Sequence, residues 1–134
     1  MEIDPSWIRL WIPGNVPSLK NNKRIIPLKG QNRPMMIPSK RHEAYAKDTR
    51  LVYASHRLAF KNATEGLSDP LRVGFRFVRG SRHKFDYTNA LDTVQDLMVK
   101  HGWIEDDNAD CLIPVIIPYE YDKERPGVEI VIGV

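Results

Sequence analysis

The sequence predicts an α+β fold: a small mixed β-sheet with two main helices packed on one face. Three observations carry that expectation. Two segments, residues 39–61 and 89–101, place apolar residues at helical spacing; four others are short and rich in strand formers; and their order is strand, edge hairpin, helix, strand, helix, strand, strand.

The first strand is Trp7 to Ile12 (WIRLWI), ended by Pro13-Gly14. The next stretch, PGNVPSLKNNKRIIPLKGQNRPMMIPSK, holds five prolines around two short apolar islands. It reads as a long loop with a short hairpin at the sheet edge, where proline is tolerated. Ser39 suits an N-cap for a first helix running to about Lys61, with Ala44, Leu51, Val52, Leu58 and Ala59 as its apolar positions. After the turn-rich NATEGLSDP, Leu71 to Val78 alternates apolar residues with Arg72, Gly74, Arg76 and Val78, which predicts a strand with one buried and one largely basic face. Arg79 to Lys84 (RGSRHK) then forms a basic loop. A second helix runs from about Asn89 to His101: Leu91, Val94, Leu97 and Met98 share a face, Thr88 suits the cap and Gly102 the exit. Cys111 to Pro118 and Val128 to Val134 close the fold as strands joined by a polar turn at 122–127.

The chain of 134 residues is one domain's worth, large enough for a core without disulfides. With 42% apolar and 28% charged residues it is too apolar for a disordered chain. Cys111 is the single cysteine, which excludes an intrachain disulfide and a cysteine-based zinc site. No apolar run of about 18 residues occurs and the start lacks a signal-peptide layout, so the expected location is cytoplasmic, without membrane association.

Charge is distributed unevenly. Residues 1–84 carry 17 Lys or Arg against 6 Asp or Glu, whereas residues 85–134 carry 3 against 11. The first part suits a polyanion and the second a cation, although two oppositely charged halves also attract each other.

The acidic residues concentrate in KFDYTNALDTVQDLMVKHGWIEDDNAD. Asp86 precedes the second helix and Asp106 and Asp107 follow it, all on loops at helix ends. Oxygen donors without neighbouring His or Cys suit Mg²⁺ or Mn²⁺, the ions that nucleases use to activate water at a phosphodiester. The alternative is that Asp86 serves the helix N-terminus and that Glu105, Asp106 and Asp107 form a solvated turn.

The frame F-D-x-x-N, an amphipathic helix and G-W-I-E-D-D resembles the core of the RusA family of Holliday junction resolvases. PSLKNNKR is similar to that family's proline-serine-asparagine loop. The resemblance implies a single RusA-like nuclease domain over residues 1–134, a Mg²⁺-dependent endodeoxyribonuclease acting as a homodimer on four-way DNA junctions, with 5′-phosphate and 3′-hydroxyl products. It makes Asp86 the first catalytic aspartate, Asn89 the family asparagine, Asp107 the final catalytic aspartate and Asp106 its acidic neighbour. Two positions depart from the family pattern: its second catalytic aspartate falls on Thr88, and a helix lysine falls on Asp92. Asp92 lies four residues beyond Thr88 on the same helical face, so it is placed to substitute for the lost carboxylate. The expected catalytic set is Asp86, Asp92 and Asp107, and the expected metal ligands are Asp86, Asp106 and Asp107. A helix from Asn89 to His101 is about 20 Å long. Asp86 and Asp107 therefore meet only if the following loop folds back or a second subunit contributes.

Lys20, Asn21, Lys23 and Arg24 in the first loop, with Arg79, Arg82 and Lys84 beside the acidic site, are the residues assigned to DNA phosphates. Arg41, Arg50, Arg57 and Lys61 read as a solvated helix face, and Trp7, Trp11 and Trp103 as core or interface anchors. The rival to an active nuclease is a junction-binding protein on the same fold that lost its chemistry at Thr88.

Overall fold

A computed structural model describes residues 2–18, 23–27 and 34–134, with side chains excluded over 23–27 and 34–38. The elements are β1 (Ile8–Pro13), β2 (Lys23–Pro27), β3 (Pro34–Pro38), α1 (Lys40–Ala63), β4 (Leu71–Arg79), α2 (Tyr87–Lys100), β5 (Leu112–Tyr121) and β6 (Gly127–Ile132). The fold is mixed α+β, with a four-stranded sheet in the order β1-β6-β4-β5. β6 runs antiparallel to both β1 and β4, and β5 runs parallel to β4.

Alternation in β4 and β6 fixes the buried face. Val73, Phe75 and Phe77 stand opposite Ile132, Ile130 and Val128, and all six join one core cluster with residues from α1 and α2. The strand pattern predicts one basic face for β4, but on that face Gly74 and Val78 are also buried. On that second face Glu129 accepts from Arg9 and Arg76, and Arg76 also pairs with Glu120. A central strand has neighbours on both sides, so its outer face is covered by side chains reaching across from the adjacent strands.

Three expectations change. The proline-rich hairpin forms a separate two-stranded sheet, β2-β3, instead of an edge of the main one. β5 and β6, joined by a short polar turn, are separated by β4. Their connection passes over the end of β4, where Asp122 N donates to the Arg79 carbonyl at 2.9 Å and Pro126 lies against Gly80. On α1 the buried residues are Tyr45, Thr49, Tyr53 and Phe60, while Leu51 and Leu58 are 74% and 68% exposed. Tyrosine hides its polar end when it finds a partner, and here the Tyr45 and Tyr53 hydroxyls bond each other at 3.0 Å. The aromatic side chains, bulkier than the leucines, occupy the core face.

The expected N-cap of α1 is present: Ser39 Oγ accepts from His42 N at 3.2 Å. For α2 the cap is Asp86 in place of Thr88, so the helix begins two residues earlier than expected. Asp86 Oδ1 accepts from Thr88 N at 2.8 Å, which turns a position read as a loop ligand into part of the helix terminus. α2 ends before Gly102, whose φ of 76° lies in the left-handed region that favours glycine; Trp103 N then donates back to Met98 O at 2.9 Å. The Trp103 ring, 1% exposed, packs on Tyr53 and Phe60 and donates Nε1–H to Tyr53 O at 2.7 Å. That anchor turns the chain sharply at the foot of α2. Among the described residues no helix is long and apolar enough to cross a membrane.

Candidate functional site

Asp86 is fixed by its capping role and by the residues on either side. Phe85 packs edge-on against Tyr119 and Tyr87, and the Tyr87 hydroxyl accepts from Tyr119 N at 2.9 Å. This aromatic group ties the start of α2 to the end of β5. Neither Tyr87 nor Tyr119 was singled out in the sequence, since their pairing joins segments 32 positions apart.

Downstream, the anchored turn at Gly102-Trp103 brings the acidic loop back along α2. Partial burial raises the Asp92 pKa above the ordinary carboxylate value, and the charges of Asp107 and then Asp86 raise it further. Two carboxylates from opposite ends of the helix thus act on a third between them, all within one chain. Asp86 and Asp92 are exposed and Asp107 is half-buried.

Asp106 is arranged differently. Its Oδ1 accepts from Asp107 N at 2.7 Å and its Oδ2 from Asn108 Nδ2 at 3.0 Å. Both oxygens therefore shape the turn that presents Asp107. Asn108 continues this local chain, accepting through Oδ1 from Asp110 N.

The donor set consists of hard carboxylate oxygens, which suits a divalent cation such as Mg²⁺ or Mn²⁺. Such a charge would offset the repulsion that raises the Asp92 pKa. Asp86, Asp92 and Asp107 are the residues that would hold it. Among the described residues, however, no three His, Cys, Asp or Glu side chains are grouped tightly enough to hold a metal as they stand.

Basic groups flank the carboxylates unequally. Arg82 and Lys84 are exposed, and the Arg82 guanidinium lies 4.0 Å from the centre of the Tyr121 ring. Arg79, expected on a surface loop, is instead the last residue of β4 and is 6% exposed. Its Nη1 donates to Val16 O and its Nη2 to Ser18 Oγ, so it holds the loop after β1. The same loop reaches α2, where Thr93 Oγ1 donates to Pro17 O at 3.4 Å. Lys20 and Asn21 lie outside the described residues, and Lys23 and Arg24 lie on β2, where only the backbone is described. Sequence comparison finds no matching family model and no matching curated protein.

Proposed function

We propose that the protein is a Mg²⁺-dependent, structure-specific endodeoxyribonuclease of the RusA type that acts on branched DNA as a homodimer. The observation that carries this reading is that Asp92, on a helix face, feels the charges of both Asp107 on the anchored return loop and Asp86 at the helix cap. Such a cluster is unfavourable in the empty protein and becomes useful when a cation and a phosphodiester meet there.

Asp86 and Asp107 act as metal ligands and Asp92 completes the set, taking the role that the family gives to the residue at Thr88. A bound divalent ion supplies charge neutralisation of the phosphate and a water acidic enough to attack it. The water oxygen adds to phosphorus, the bond to the 3′ oxygen breaks, and that oxygen leaves with a proton as the 3′-hydroxyl. Arg82 and Lys84 draw the strand toward a site whose own charge repels it.

The second reading is a junction-binding protein without activity. It is favoured by Thr88 and by the spread of the carboxylates, which do not close on one ion as they stand. A synthetic four-way junction, incubated with and without Mg²⁺ beside linear duplex, separates the two. Paired, metal-dependent nicks at the crossover support the nuclease; tight binding without nicks supports the binding protein. If Asp92 carries the lost function, Asp92→Ala inactivates as fully as Asp86→Asn. If the site is crippled, Thr88→Asp raises cleavage and Asp92→Ala changes little.

A further inference from the structure

A cleft of about 820 Å³ opens between the loop after β1, the first half of α1 and the segment that follows β4. Its wall includes Arg79, with Val16 and Ser18, the two residues that Arg79 bonds. Arg41, His83 and Lys84 line the rim, with Asp48 as the single acidic lining residue among the described residues.

Arg79 is unusual for a buried cation. It is 6% exposed, yet its partners are a carbonyl, a hydroxyl and the Phe85 ring, 4.7 Å away. No carboxylate pairs with it among the described residues, and residues 19–38, whose side chains lie outside the description, contain no Asp or Glu. A guanidinium carries five N–H donors. The described bonds use one at Nη1 and one at Nη2, and Nε is buried without an acceptor. A buried charge is ordinarily balanced by an opposite one in contact with it, and among the described residues no carboxylate, the cleft-lining Asp48 included, makes that contact with Arg79.

We propose that the cleft is a phosphate-binding subsite, with Arg79 as its fixed charge and Arg41 and Lys84 closing over the anion from the rim. A planar guanidinium pinned at two nitrogens is already oriented, so little side-chain entropy is lost on binding. Seating needs a small adjustment that brings Nε–H or a remaining Nη–H to a phosphate oxygen. The phosphate arrives either as a free anion or as part of a nucleic-acid strand. Only the assignment to a strand rests on the nuclease reading above; the subsite itself does not.

The test is an NMR titration of the full chain, without Mg²⁺, following the Arg79 Nε–Hε resonance. Inorganic phosphate should shift it saturably while chloride at equal ionic strength does not. The Arg41→Ala/Lys84→Ala variant changes only exposed residues and should keep the fold. It should weaken phosphate binding about tenfold. A short single-stranded oligonucleotide that shifts the same resonance at lower concentration than phosphate assigns the subsite to a strand; one that needs an equal or higher concentration assigns it to a free anion. A phosphate response no larger than that of chloride, or one undiminished in the double variant, overturns the proposal. The same titration on Asp86→Asn keeps the two readings apart, since the shift should survive there whether or not the wild type cuts DNA.

Discussion

Two arginines of β4, three residues apart, have opposite surroundings. Arg76 points to the outer face of the sheet, where Glu120 and Glu129 both pair with it, and Glu129 also accepts from Arg9. Arg79 lies at the strand end, buried, with no carboxylate partner among the described residues. The acidic side of α2 mirrors Arg79 with the sign reversed, since Asp92 feels two like charges. Charge that is balanced within the chain supports the fold; charge left unbalanced is available to a ligand and costs stability until one binds. Substitutions in the two kinds of region should therefore separate activity from stability.

The largest effect is expected in the unbalanced region. Asp86→Asn and Asp107→Asn should each reduce Mg²⁺-dependent junction cleavage by about a hundredfold or more while leaving junction binding intact. Asparagine caps helices as well as aspartate does, so the Asp86 variant should keep its unfolding free energy in urea within about 0.5 kcal/mol of wild type. A wild-type cleavage rate in either variant removes that residue from the site.

The balanced region should respond the other way. Glu129→Gln leaves Arg9 without its carboxylate and Arg76 with Glu120 alone. The loss should be about 2 to 3 kcal/mol in urea unfolding, less than for a wholly buried pair because the Arg9 side chain is 41% exposed. Junction binding by the folded variant should be unchanged. A stable Glu129→Gln protein breaks the contrast drawn between the two arginines.

A smaller loss belongs to the turn that connects the regions. Gly102→Ala places a side chain at φ 76° and 3.0 Å from Arg57 Nε, a flexible group that can move aside. The backbone conformation alone should cost about 1 to 2 kcal/mol. Because this turn returns Asp107 toward α2, the folded variant should also show a lower Asp92 pKa.

The finest test is the pH dependence of Asp92. Its pKa in the folded chain lies above the ordinary 3.8, so the native state keeps a proton that the unfolded chain has released. Stability attributable to this group is fully retained below 3.8 and falls as pH rises through the folded pKa. Asp92→Asn should thus be more stable than wild type at neutral pH, with the difference disappearing in acid. Asp107→Asn should move the Asp92 carboxyl titration, followed by ¹³C NMR, back toward the ordinary value.

Local patterns revealed most of the elements, and tertiary partners decided what they missed. The α2 segment was legible because Leu91, Val94, Leu97 and Met98 mark one face within a single helix. Its cap was misplaced because Asp86 and Thr88 are both capping residues two positions apart, and the aromatic contacts of Phe85 and Tyr87 select between them. In α1, leucine content pointed to the wrong face, since Tyr45 and Tyr53 become apolar in effect only when their hydroxyls meet. The acidic residues of the site were visible as a cluster, but which of them share a field depends on the return through Gly102 and Trp103. The isolation of Arg79 was invisible, because it is a property of what surrounds the end of β4 and not of RGSRHK itself.

The pairing of β1 with β6 sets a clock for synthesis. Among the described residues β1 has no other neighbour in the sheet, and Arg9 meets Glu129 across 120 positions of chain. At roughly 5 to 20 residues per second, a ribosome needs about 6 to 24 s to make the strand that β1 awaits. During that interval IRLWIP is an apolar strand with both edges open, the kind of segment that chaperones hold and that aggregates when they do not. Slowing translation should lower the yield of soluble protein more than slowing the growth of a chain whose first strand pairs with its second.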